Sequence, residues 1–121
     1  MFALKAANEA LRVLAIFENE NPRDKRPRRA IDAIKTWSRG KLKLSMREVR
    51  KLSLDVHAAA RKAKSDAARF AARAAGHAVA TWHVPTHAMA VPMYVQKAIF
   101  AKQAGASPSR TGGNLNRPRA S

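Results

Sequence analysis

Apolar residues recur every three or four positions along most of the chain, the spacing of one face of a helix. Ala3, Ala7, Ala10, Leu14 and Phe17, with Leu11 beside them, predict a first helix over about 3–18. The segment ENENPRDKRPRR, residues 18–29, interrupts it. Asn21-Pro22 stops a helix, because a proline pushes the residue before it out of the helical conformation. Asp24 can cap a second helix over about 25–39 that carries Pro27 in its first turn. That helix turns Ala30, Ile31, Ile34 and Trp37 inward and stops at Gly40, the residue best suited to a left-handed helix end.

KLKL, residues 41–44, is a connector, and Ser45 with Glu48 has capping-box spacing. A third helix starts there with Val49, Leu52, Val56, Ala59, Ala60 and Ala63 inward. Ser65-Asp66 predicts a break and a new cap, followed by a fourth helix over about 66–82 that buries Ala67, Phe70, Ala71, Ala74 and Ala78. Pro85 marks the next boundary. A fifth helix, about 86–103, is expected to bury Met89, Met93, Val95 or Gln96, and Phe100, with Pro92 kinking it or delaying its start. From Gly105 the composition turns polar, basic and rich in Gly, Pro and Ser, which predicts a disordered tail over 105–121. The expected architecture is therefore all-α: a single domain over 1–104, a compact bundle of about five helices with Trp37, Ile31, Ile34, Phe70, Trp82 and Tyr94 at its centre.

Composition supports this. Twenty-six of 121 residues are alanine, the best helix former and small enough to let helices pack closely. Close-packing alanine faces also leave a homodimer open. There is no cysteine, hence no disulfide and no thiolate ligand or nucleophile. No apolar run reaches the roughly 18 residues of a membrane span. The apolar start of the chain is broken by Lys5, Glu9 and Arg12, so it reads as an amphipathic helix rather than a signal peptide. A cytoplasmic protein without membrane contact is the expectation.

Charge changes the picture most. Twenty-four Lys and Arg against eight Asp and Glu give a net charge of +16. A small domain usually carries a magnitude of about 2–8, so an anionic partner becomes a serious reading. Two basic regions offer themselves. Arg23, Lys25, Arg26, Arg28 and Arg29 cluster at the start of the second helix, where amides and dipole favour a phosphate or carboxylate. Alternatively that segment is a rigid proline-bounded turn, its arginines in water or paired with Glu18 and Glu20. The third and fourth helices carry Arg47, Arg50, Lys51, Arg61, Lys62, Lys64, Arg69 and Arg73. They lack interleaved aromatics and any nucleic-acid motif, so a nucleic acid held there would be gripped by its phosphates alone.

HAVATWHVPTHA, residues 77–88, holds three histidines. His83 and His87 have the i,i+4 spacing of helical zinc ligands, but Pro85 lies between them and the glutamate of that motif is missing. No nucleophile or buried carboxylate is in view for catalysis. A metal-dependent enzyme built on His77, His83 and His87 is the weakest alternative. The stronger reading has these imidazoles linking helices by hydrogen bonds. No cofactor is called for. Trp37, Trp82 and the Met89/Met93 pair read as packing residues.

Two blocks of residues carry a resemblance. Glu18, Glu20, Pro22, Asp24, Arg26-Pro27-Arg28 and Ala30-Ile31, followed by Trp37 and Gly40, form the first. AARAAGHAVAT over 71–81, then His83-Val84, His87-Ala88, Tyr94 and Lys97-Ala98-Ile99, form the second. In this order, over roughly residues 8–100, they resemble the Imm-5-like putative immunity proteins of bacteria. The resemblance implies an all-helical, non-enzymatic protein of toxin–immunity systems. Its family residues here are Glu18, Pro22, Asp24, Arg26, Pro27, Trp37, His77, His83, His87 and Tyr94. With +16 on the chain, a cognate toxin is expected to be acidic or neutral. The leading expectation is a binding protein that occludes a protein partner through the surface near Pro22–Arg29. A nucleic-acid binder using the basic faces is the first alternative.

Overall fold

The computed structural model describes residues 2–106. Five α-helices run in chain order: α1 (Phe2–Glu20), α2 (Arg26–Ser38), α3 (Met46–Lys62), α4 (Asp66–Ala80) and α5 (Ala90–Ala106). A 3-10 turn over Pro85–Met89 precedes α5. There is no strand among the described residues, and none of their helices is long and apolar enough to cross a membrane. Of the expected tail, Gly105 and Ala106 continue α5; residues 107–121 lie outside the described residues.

The helix ends follow local chemistry. Gly40 adopts φ 74°, and its N–H donates to the Trp37 carbonyl while the Lys41 N–H donates to that of Thr36. These two bonds satisfy the last carbonyls of α2, as a left-handed residue at that position allows. Ser45 and Glu48 form the full capping box of α3. The Ser65 hydroxyl accepts from the Ala68 N–H, so α3 and α4 are separate helices. Pro92 is the third residue of α5, where its missing N–H has no intrahelical partner to lose. It therefore sets where the helix starts.

α4 is the shaft of the bundle. Ala67, Ala68, Ala71, Ala72, Ala74, Ala75, Gly76, Ala78, Val79 and Ala80 are all buried, and α1, α2, α3 and α5 each pack against it. Methyl groups on nearly every side let four neighbours approach. Around it the larger core residues are Val13, Leu14, Phe17, Ile31, Ile34, Val56, Val91 and Val95.

Two expectations about the interior need correction. Ile31 and Ile34 are fully buried, but Trp37, Phe70, Trp82 and Tyr94 are only half-buried at the core's edge. A shaft sheathed in alanine brings its neighbours close, and Phe17 of α1 is the one ring among the fully buried residues. The fifth helix is also turned relative to expectation. Val95 faces inward as expected, with Val91 and Ala98 beside it, but Met89, Met93, Gln96 and Phe100 are exposed. The outer face of α5 also carries apolar residues among its polar ones, so periodicity alone had two solutions, and the smaller residues fit against α4.

Candidate functional site

The corner between α1 and α2 is built from charge. The Asn21 N–H donates to the Phe17 carbonyl, closing α1, and the Asp24 N–H donates back to Asn21. Pro27 is buried in the first turn of α2. Lys25, not Asp24, occupies the cap position of that helix. The Asp24 carboxylate instead accepts the Arg26 backbone N–H at 3.1 Å and both arms of the Arg26 guanidinium, at 2.9 and 2.7 Å. Glu18 reaches across from α1 to take Arg28 in a two-pronged pair at 2.7 and 2.8 Å. These arginine hydrogen bonds hold both carboxyl groups below their ordinary range. Of the five cations in the segment, Arg26 and Arg28 thus clamp the corner. Arg23, Lys25 and Arg29 are exposed and make no ion pair among the described residues. The amide that would meet a bound anion at this helix start already meets Asp24.

The second cluster lies on the strip of α4 between α3 and α5. His77 Nδ1 and His87 Nδ1 are 2.9 Å apart, and their ring centroids are 5.1 Å apart. The nitrogens therefore sit between the rings and aim at each other, which is a hydrogen bond and not a two-toothed claw. One ring must donate and the other accept. Tyr94 of α5 stacks on the other side of His77, 5.1 Å between centroids and 14° from parallel. His57 of α3 meets His77 edge-on at 5.8 Å, and the Arg73 guanidinium donates to His57 Nδ1 at 2.5 Å. His83, exposed, is 6.2 Å from His87. The four rings form a row and do not converge: among the described residues no group of three donors could hold a metal ion.

Burial pushes His57 down to about 4, with Arg73 and His77 adding to it. Burial lowers His77 too, followed by the neighbouring His87 and Arg73. Burial thus favours the neutral forms of His57 and His77.

Gly76 explains the close approach of His57. A Cβ placed there would lie 2.8 Å from both Cε1 and Nε2 of the His57 ring. The ring lies on the bare backbone of α4, and Arg73 holds it down. Sequence reading passed over both His57 and Gly76 as contacts. The available signal was a glycine inside an alanine-rich helix, which costs about 1 kcal/mol against alanine and needs a packing reason.

The remaining basic set is spread along outer surfaces. Lys51 pairs with Asp55 at 3.0 Å, and Arg69 pairs with Asp66. Arg47, Arg50, Lys51, Leu54 and Asp55 border a shallow hollow of about 320 Å³. All five belong to α3, so no second element walls it. Trp37 and Trp82 meet edge to face at 6.4 Å, closing α2 against the end of α4.

A model of the family described as Imm-5 like putative immunity protein matches residues 2–113 of the chain. The chain belongs to that family. The match spans the whole helical domain, including the corner and the histidine row. No curated protein matches the chain, and no solved structure does.

Proposed function

We propose that the protein is a non-enzymatic immunity-type binding protein that occludes an acidic or neutral protein partner. Family membership supports the class. The chemistry of the partner follows from one observation: seven of the chain's eight acidic side chains are engaged at home, and only Asp32 stands exposed without an ion pair among the described residues. Glu9, Glu18, Asp24, Asp55 and Asp66 hold lysine or arginine, Glu48 caps α3, and Glu20 accepts from the Ser65 hydroxyl. Asp32 apart, what projects outward unpaired is cationic. At the α1–α2 corner Arg23, Lys25 and Arg29 stand on a backbone fixed by two arginine–carboxylate clamps, so a partner's carboxylates meet them with little ordering cost.

The test is co-expression with candidate toxins, starting with the product of the neighbouring gene. Protection of the cells and a stable one-to-one complex are expected, and replacing Arg23, Lys25 and Arg29 together by Glu is expected to abolish both. A toxin that neither binds nor is neutralised would overturn the reading. A gel shift of random duplex at low salt, lost steeply by about 200 mM, would move the assignment to phosphate-backbone binding.

A further inference from the structure

The C-terminal half of the domain is lopsided in charge. Asp66 is the last acidic residue of the chain; from residue 67 onward there is no Asp or Glu. On the strip of α4, Arg73 meets His57, and His77 lies between His57 and Tyr94. Lys97 of α5 stands 5.5 Å from the ring centroids of both Phe70 and Tyr94, held there by the ring faces.

Beside Lys97 runs an apolar stripe. Met89, Met93 and Phe100 are 78%, 47% and 75% exposed. On α5 Met93, Gln96 and Phe100 share one outward side, so the stripe holds one polar residue between its two apolar ones, and Met89 extends it into the 3-10 turn. Eleven residues at about 1.5 Å each make a stripe some three turns long. Single exposed apolar residues are ordinary on a surface; a stripe on one helix face is not. Inward needs of the fold do not explain it, because Val91, Val95 and Ala98 already fill the face toward α4.

We propose that this α4–α5 face docks an amphipathic helical segment of a protein partner, with apolar residues against the stripe and carboxylates against Lys97. Charge selects the occupant. A second copy brings another +16 and repels. An acidic helix brings what the face lacks. Methionine suits such a surface because its flexible side chain refits to the helix it meets. An anionic membrane is the competing occupant. Yet α5 carries only Lys97 and Lys102 as cations, whereas helices that lie on lipid display a dense basic face. The proposal rests on the reading of the chain as a binding protein, but names a surface away from the α1–α2 corner.

A displayed library of 18-residue helical peptides, panned against the full chain at about 150 mM salt, tests it. Enriched peptides are expected to be acidic with apolar residues at i, i+3/i+4 and i+7. Met93→Asp with Phe100→Asp is expected to weaken them about tenfold or more, as loss of a central aromatic anchor does. Lys97→Glu is expected to weaken them too, while the triple Glu variant of Arg23, Lys25 and Arg29 leaves them unchanged. These stripe residues are exposed, and an unchanged melting temperature confirms that each variant folds. Failure to enrich peptides, binders indifferent to the stripe, or scrambled peptides of equal charge binding equally well would overturn the proposal. So would stripe-dependent binding to phosphatidylserine vesicles without any peptide binder. Stripe-dependent peptides together with an unbound neighbouring toxin would sustain this face and remove the immunity function; the reverse outcome would do the opposite.

Discussion

The α1–α2 corner and the α4–α5 face are opposites. The corner is dense in charge and looks in sequence like a binding motif, yet two of its five cations are locked onto Glu18 and Asp24. The face belongs to a helix that looks in sequence like core, yet it turns Met89, Met93 and Phe100 to solvent. Charged residues close together in sequence can satisfy one another. Large apolar residues have no such recourse when a core made of methyl groups has no room for them. Availability for a partner is decided by what the fold leaves unsatisfied, and composition alone does not report it.

The comparison breaks most sharply under truncation. Ile34→Ala, on the buried face of α2 beneath the corner, is expected to cost about 2–5 kcal/mol. Phe100→Ala, removing a larger side chain, is expected to stay within about 0.5 kcal/mol. Chemical denaturation of both variants checks the pair, and equal losses would contradict the orientation of α5.

Next comes the contact under the histidine row. Gly76→Ala is expected to destabilise by about 1–3 kcal/mol, the usual cost of overpacking, although alanine is the better helix former. Adding His57→Ala to it should recover part of the loss. A double-mutant cycle measures this coupling, and strict additivity would mean that the ring does not rest on residue 76.

Acidification separates the two regions by pH. His57 titrates at about 4 and His77 below the ordinary 6.5, so their contribution is fully present above pH 6.5 and is lost as pH falls below it, for His57 toward about 4. Glu18 and Asp24 also sit below their ordinary values of 4.5 and 3.8, so the corner holds above that range and weakens only below it. Melting temperature is expected to fall between pH 7 and 5, and less so in His57→Gln. Glu18→Gln should leave that interval unaltered and flatten the curve below about pH 4.

The smallest effect is the clamp itself. Glu18→Gln at pH 7 is expected to cost no more than about 1 kcal/mol, because the Arg28 side chain is 45% exposed. A larger loss in thermal melts would show the corner to be a structural keystone and leave less of it for a partner.

Helix ends were legible because they are local. Gly40, the Ser45–Glu48 box and Ser65 each act within four residues, and all three fall where the sequence puts them. Orientation was less legible because it depends on the neighbour's shape. Bulk was taken as the mark of the interior, which placed Phe70, Trp37, Trp82 and Tyr94 too deep and rolled α5 outward-side in. Against the alanine shaft the rule holds for Phe17, Leu14, Ile31 and Ile34 but fails on α4 and α5, where the small residues face inward and the rings and methionines lie at the edge or outside. The histidines were read as helix-linking groups, and the His77–His87 bond is such a link. The His57–Arg73 half of the row was not legible, since it joins residues on separate helices, 16 positions apart, with no shared motif.

The alanine sheath of α4 has a consequence for how such a chain can diverge. A core of leucines drifts through neighbours of intermediate size, each step opening or filling a little space. Here the alanines of the shaft itself already carry one methyl group, and the only smaller step is glycine, which loosens the helix. Almost no neutral route leads away from this interior. Change must collect on the outer helices and the corner, where a new partner can be met without disturbing the axle on which the domain is built.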